Sequence, residues 1–291
     1  MRSWMIVPAD KEGAASQAAT AGADAIVIDL ARAMSADRKE SVRLVARNWL
    51  ASHREQVVAT RRFERWVRIG PVRTPHWRED LAAALDARAD GVVLAECVGP
   101  DDIQQLASYL YECEGRYGIP ANSLPIVPEL APVPRSALSL NALSEAMHPR
   151  VAALMWDATG LARSLGARRL RGPGGLWIDP LAYARANVLL IAHANGLGAI
   201  EAPFSGSKDE DLERFARAAR ADGFTGMAAT RRAQIAGINA AFEPSDEDRA
   251  EAREIVGLFS LNPSAETVAF RGRWIGQAEL AHARRVLGDA G

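Results

Sequence analysis

VAALMWDATGLARSLG, residues 151–166, is the stretch on which the fold turns. An apolar run closes on Trp156 and Asp157, small residues make a turn, and a helical pattern takes over. That is the order in which a parallel strand passes into its crossover helix. The turn offers Asp157, Thr159 and Gly160, and Asp157 is its one titratable group.

The same unit repeats on both sides. Short apolar runs read as strands at Trp4 to Pro8, Asp24 to Asp29, Arg65 to Ile69, Gly91 to Ala95, Pro125 to Glu129, Val151 to Trp156, Ala199 to Phe204 and Gly223 to Ala228. Helical patterns such as Lys39 to His53, Arg78 to Ala87, Asp101 to Tyr111, Pro180 to Asn195 and Lys208 to Ala221 lie between them. Eight strands alternating with helices within 291 residues predict an α/β fold, a (β/α)8 TIM barrel, over residues 1–258. No GxGxxG follows the first strand, which argues against a dinucleotide-binding sheet. Residues 259–291 hold a hairpin-like piece and a terminal helix. They read as a C-terminal helical extension that packs on a neighbouring subunit of a homo-oligomer. The segment RRLRGPGGLWIDP, 168–180, reads as a long loop on the same face as the strand ends.

Composition narrows the function. With 48% hydrophobic and 24% charged residues the chain has material for one large core. A formal net charge of −1 provides no clustered positive field, so nucleic acid and membrane surfaces are not expected partners. The opening MRSWMIVPAD turns polar too soon for a secretory or membrane-spanning segment, and a cytoplasmic location is expected. Cys97 and Cys113 have neither the number nor the spacing of a disulfide or zinc framework and read as small buried hydrophobes.

In a barrel of this kind chemistry sits at the carboxyl ends of the strands. Those positions supply Pro8 and Asp10, Asp29 to Arg32, Arg68, Glu96 with Cys97, Glu129 to Ala131, Asp157 to Gly160, and Glu201 with Ser205 and Gly206. Arg68 is the foremost candidate, because a guanidinium in a barrel mouth is a forked holder of carboxylate or phosphate. The structural alternative is an ion pair between Arg68 and Asp29.

Taken in order, RSWMIVPAD, GADAIVIDL, WVRIG, DGVVL, VAALMW with GLARSLGA, GFTGMAATRRAQIAGINAAFEPS and RGRWIGQAELAHARRVL resemble the citrate lyase beta-subunit family. That family lies within the wider HpcH/HpaI aldolase superfamily. The resemblance covers almost the whole chain. It implies trimers or hexamers, Mg²⁺ held by one Glu and one Asp, and a C–C bond cleaved or formed next to a thioester or carboxylate, with the metal polarising the carbonyl. The family's metal-binding Glu, in a pattern like IETARG, falls on Ala131 when aligned without gaps, and its metal-binding Asp, in GAEDL, falls on Gly160. Its LDLEDAV becomes IDLAR, keeping Asp29 and putting Ala31 and Arg32 where acids are usual, and Glu96 stands where a Lys is usual.

Two arrangements remain open. In the first, Glu129, two residues before Ala131 on the same strand face, meets Asp157 from the adjacent strand; with Glu96 they rebuild a carboxylate cluster for Mg²⁺ at displaced positions. In the second, these acids pair with Arg68, Arg32 or Arg163 in a metal-free network, and Arg68, with Arg32, grips a carboxylate or phosphate without Mg²⁺; the added arginines at 32, 231 and 232 make this the expected arrangement, with ordinary magnesium-dependent citrate-lyase-type or malyl-CoA-type turnover expected to be absent. Two functions follow. One is a C–C lyase or aldolase acting on a small carboxylic acid or its CoA thioester, with Arg68, Asp29 and Glu96 in catalysis and Arg68, Pro8, Asp10 and Arg32 on the substrate. The other is a non-catalytic barrel that binds a small anionic metabolite or supports a partner enzyme.

Overall fold

Side chains alternate between the two faces of a strand, and in this chain most strand positions on both faces are apolar, with a cluster of charged groups at inward positions near the carboxyl ends. The computed structural model describes every residue except 12, 33, 34, 56–61, 146, 207 and 289–291, with the backbone alone for 36, 37 and 285. The strands are β1 (Ser3–Pro8), β2 (Ala25–Asp29), β3 (Glu64–Ile69), β4 (Gly91–Cys97), β5 (Ile126–Leu130), β6 (Ala153–Trp156), β7 (Gly198–Glu201) and β8 (Gly226–Ala229). Each pairs in parallel with the next, and β8 closes on β1, making the expected barrel. Helices α1 (Ala14–Ala19), α2 (Ala36–Ser52), α3 (Trp77–Asp86) and α4 (Pro100–Arg116) follow the first four strands. Beyond β5 come α5 (Pro134–Leu138) and α6 (Ala142–Glu145), then α7 (Ala158–Ser164), α8 (Asp179–Ala194), α9 (Asp209–Ala221) and α10 (Gln234–Phe242).

Trp4, Ala25, Val27, Trp66, Val93, Val127, Ala153, Met155, Ile200 and Ala228 fill the barrel interior. Trp4 and Trp66 meet edge to face, their centroids 4.9 Å apart. Gly91 opposite them is obligatory, since a Cβ there would overlap the Trp66 ring. A larger apolar layer lies between the strands and the helices. β7 stops at Glu201 instead of running to Phe204, because Pro203 lacks a ladder donor and the Ala202 N–H is already bound by the Glu201 carboxylate.

The chain divides into two compact units, Met1–Phe242 and Glu243–Gly291. The boundary is earlier than residue 258, which falls inside α11 (Asp246–Leu261). Ser245 and Asp248 form a capping box that starts α11, and its Ala252, Ile255 and Phe259 share a core with Val268, Phe270, Ile275, Leu280 and Ala283. The helix thus belongs with the hairpin β9 (Thr267–Phe270) and β10 (Arg273–Gly276) and with α12 (Gln277–Leu287). Among the described residues no helix is long and apolar enough to cross a membrane.

Candidate active site at the barrel mouth

Strand alternation builds the floor of the site. One inward step beyond the apolar Val27, Trp66, Val127 and Met155 come Asp29, Arg68, Glu129 and Asp157, about 6–7 Å further along each strand. Register puts Asp29 beside Arg68, the two being direct partners across β2 and β3. The Arg68 fork is held at both ends: Nη1 donates to Asp29 Oδ1 at 3.0 Å and Nη2 to Glu129 Oε2 at 2.6 Å. Burial works against the guanidinium charge, but Glu129 and Asp29 outweigh it and raise the Arg68 pKa. Its buried Nε has no hydrogen-bond partner among the described residues.

Asp157 enters from the end of β6, where its N–H donates to the Leu130 carbonyl of β5 at 2.8 Å. Its side chain caps α7, with Oδ1 accepting from the Gly160 N–H at 2.7 Å. Burial, and next the charge of Glu129, push the Asp157 carboxyl up to about 6, while the Gly160 N–H and Arg68 pull the other way. Gly160 is what lets Asp157 sit there: a Cβ at residue 160 would overlap Asp157 Oδ2. The space that a side chain at 160 would take is filled by the carboxylate of residue 157.

The sequence-derived candidates do not all converge. Asp29, Arg68, Glu129, Asp157, Glu96 and Arg32 line one cavity of about 670 Å³. Glu96, however, does not join the other acids. β4 shifts register between Leu94 and Cys97, Glu96 takes a left-handed φ of 49°, and its carboxylate pairs with Arg73 at 3.0 Å on the rim. Pro8 and Asp10 are not among the lining residues, and Ile6 faces the cavity from β1 instead. Asp10 is engaged by Arg32 at 3.6 Å and Arg38 at 3.5 Å. Glu201 is fully buried outside the cavity, accepting from Trp156 Nε1 at 2.8 Å and from Arg185 Nε. Arg231 turns to the Gly206 carbonyl. Cys97 is buried, and burial pushes its thiol up to about 12, out of the range of a nucleophile.

Two residues escaped the reading of the strand ends. Lys39, on α2, buries its Nζ against the Leu30 carbonyl and Asp80, whose carboxylate also takes the Gly70 N–H; this ties together the loops after β2 and β3. Arg73 fixes Glu96 through both the carboxylate and the carbonyl, with Nη1 at 2.9 Å from Glu96 O. Neither lies at a strand end. Left-handed backbone at two non-glycine residues, Glu96 and Ala131 (φ 59°), flanks the site, and local strain of this kind concentrates where function fixes geometry.

The donor set fits a hard divalent cation held by two carboxylates. Mg²⁺ takes one or two carboxylates and completes its octahedron with water and substrate oxygens. Glu129 and Asp157 each have one oxygen engaged, by Arg68 and by the Gly160 N–H; the other oxygen of each accepts no hydrogen bond among the described residues. No group of three Asp, Glu, His or Cys side chains suited to a metal occurs among the described residues, so the cluster that was to include Glu96 does not form.

The chain is similar to known proteins along almost its whole length. The chain is 28% identical over 292 residues to a citrate lyase subunit beta-like protein of Deinococcus radiodurans, covering 99% of this chain and 96% of that one. It is 29% identical over 296 residues to a (3S)-malyl-CoA thioesterase of Cereibacter sphaeroides, covering 99% and 94%. The crystal structure of the protein CitE from Mycobacterium tuberculosis in complex with magnesium, acetoacetate and coenzyme A superposes with a TM-score of 0.69 at 25% identity, covering 100% of this chain and 98% of that one. A family profile described as HpcH/HpaI aldolase/citrate lyase matches residues 2–231, and with the closed parallel barrel it establishes that the chain belongs to that family.

Proposed function

We propose that the protein is an enzyme that cleaves or forms a C–C bond in a small carboxylic acid or its CoA thioester, with Mg²⁺ held by Glu129 and Asp157. The observation that carries this reading is the charge of the cavity floor, where Asp29, Glu129 and Asp157 surround the single guanidinium of Arg68. An excess of buried carboxylate is costly unless a cation joins it. Arg68 has both ends of its fork committed, which counts against its serving as a free grip for an anion. Mg²⁺, when bound, supplies polarisation of a substrate carbonyl so that the enolate left by C–C cleavage is stabilised.

The chain's own residues set the stage for that step. Arg68 holds Glu129 in place, and Asp29 fixes Arg68 from the other side. The α7 cap orients Asp157 through one oxygen and leaves the other without a hydrogen bond among the described residues. Related proteins support the substrate class: one relative is named a (3S)-malyl-CoA thioesterase, and the CitE complex carries magnesium, acetoacetate and coenzyme A. The C-terminal unit exposes Trp274 (74%), which supports our further reading that this extension meets a neighbouring copy in a homo-oligomer, trimer or hexamer as the family resemblance implies.

The test is turnover of malyl or citramalyl thioesters with and without Mg²⁺, alongside calorimetric titration of Mg²⁺. Mg²⁺-dependent cleavage, lost in Glu129→Gln, is the expected result. Mg²⁺ binding with no turnover of any short 3-hydroxy acid or thioester would favour a non-catalytic binding barrel instead.

A further inference from the structure

The cavity is charged unevenly. Four cationic side chains, Arg32, Lys39, Arg68 and Arg163, line it. Arg32 faces Asp10, Lys39 is bound to Asp80, and Arg68 lies between Asp29 and Glu129. Arg163 alone has no carboxylate partner among the described residues. It stands on α7 four residues after Thr159, so the two share one face of the helix, and both line the cavity. The Thr159 hydroxyl likewise makes no hydrogen bond among the described residues. The wall that starts from the Asp157 cap therefore presents a forked cation and a hydroxyl, both unclaimed, to a cavity whose floor is acidic.

We propose that Arg163 and Thr159 form a subsite for a second carboxylate of the substrate, so that the site selects dicarboxylic acids, or their thioesters, over monocarboxylic ones. This rests on the reading of Glu129 and Asp157 as the end of the cavity that takes Mg²⁺ and the reacting carbonyl. A substrate anchored there by its 2-oxo acid end leaves its far end to be held, and the guanidinium of Arg163 is the cavity-lining cation free to hold it. A planar fork matches a carboxylate with two parallel N–H···O bonds, and the threonine hydroxyl can donate a third. The cavity volume of about 670 Å³ is ample for an acid of five or so carbons together with bound water.

The test is calorimetric titration of the wild-type protein, Arg163→Ala, Arg163→Lys and Thr159→Val with pyruvate, 2-oxoglutarate and 3′,5′-ADP in the presence of Mg²⁺. A Mg²⁺ titration alone reads the underlying site. Arg163 is exposed, so its variants are expected to fold. Wild type should bind 2-oxoglutarate more tightly than pyruvate. Arg163→Ala should lose about tenfold or more of the 2-oxoglutarate affinity while pyruvate and Mg²⁺ affinities stay within about twofold. Arg163→Lys should fall between, because the charge stays and the fork is lost. Equal wild-type affinity for the two acids, or an equal loss of both in Arg163→Ala, would overturn the subsite. A loss confined to 3′,5′-ADP would assign Arg163 to a nucleotide phosphate and also overturn it. Absence of Mg²⁺ binding in the wild type, with the 2-oxoglutarate preference intact, would sink the metal reading and leave the subsite standing.

Discussion

Arg68 is bound so firmly between Asp29 and Glu129 that its loss should be felt in the fold first. Arg68→Met strands two buried carboxylates and should cost about 3–5 kcal/mol in urea unfolding at neutral pH, the scale for breaking a buried pair by removing one partner. A change below about 1 kcal/mol would mean that solvent already screens the pair. Asp157 carries the pH dependence. Its carboxyl is raised from the usual 3.8 to about 6 by burial and by Glu129, so the folded chain holds that proton more tightly than the unfolded chain does. The stability it contributes is therefore present at low pH and is lost as the pH rises through about 6 in the metal-free protein. Mg²⁺ needs the deprotonated form, so its affinity should fall as the pH drops below about 6, and calorimetry across that window should find this fall absent in Asp157→Asn.

At the scale of elements, the turn from β6 into α7 decides whether the site exists. Gly160→Ala should push the Asp157 carboxylate off its cap, costing about 1 kcal/mol in thermal unfolding together with much of the Mg²⁺ affinity. Val151 to Trp156 and the helix behind it are plain in the sequence because apolar runs and small-residue turns are local signals. The irregularity in β4 is not, because nothing in LAECV announces that Glu96 will adopt a left-handed φ. Strict alternation from Val93 does not carry through the shifted register, and the side chain turns to Arg73. Glu129 stays on β5 and Asp157 lies one residue past β6, with its N–H still bound to the Leu130 carbonyl of β5, so spacing alone could place them on adjacent strand ends.

For the whole molecule, the barrel was legible because eight repeats of one pattern leave few alternatives, whereas the unit boundary was not. The helix α11 looks like any barrel helix, and only its shared core with β9, β10 and α12 assigns it to the second unit. If that unit docks on a neighbouring copy, sedimentation at micromolar concentration should find an oligomer, and Trp274→Ser should shift it toward monomer; a monomeric wild type contradicts the docking. The central claim is that the family's carboxylate at position 160 has moved to position 157, into the space that Gly160 leaves open. The most direct measurement is Mg²⁺ calorimetry on the wild type, on Asp157→Gly, and on the double exchange Asp157→Gly with Gly160→Asp. The account predicts binding in the wild type, loss of about tenfold or more in the single variant, and recovery in the double exchange. Undiminished binding in Asp157→Gly, or a wild type that takes up no Mg²⁺, would contradict it.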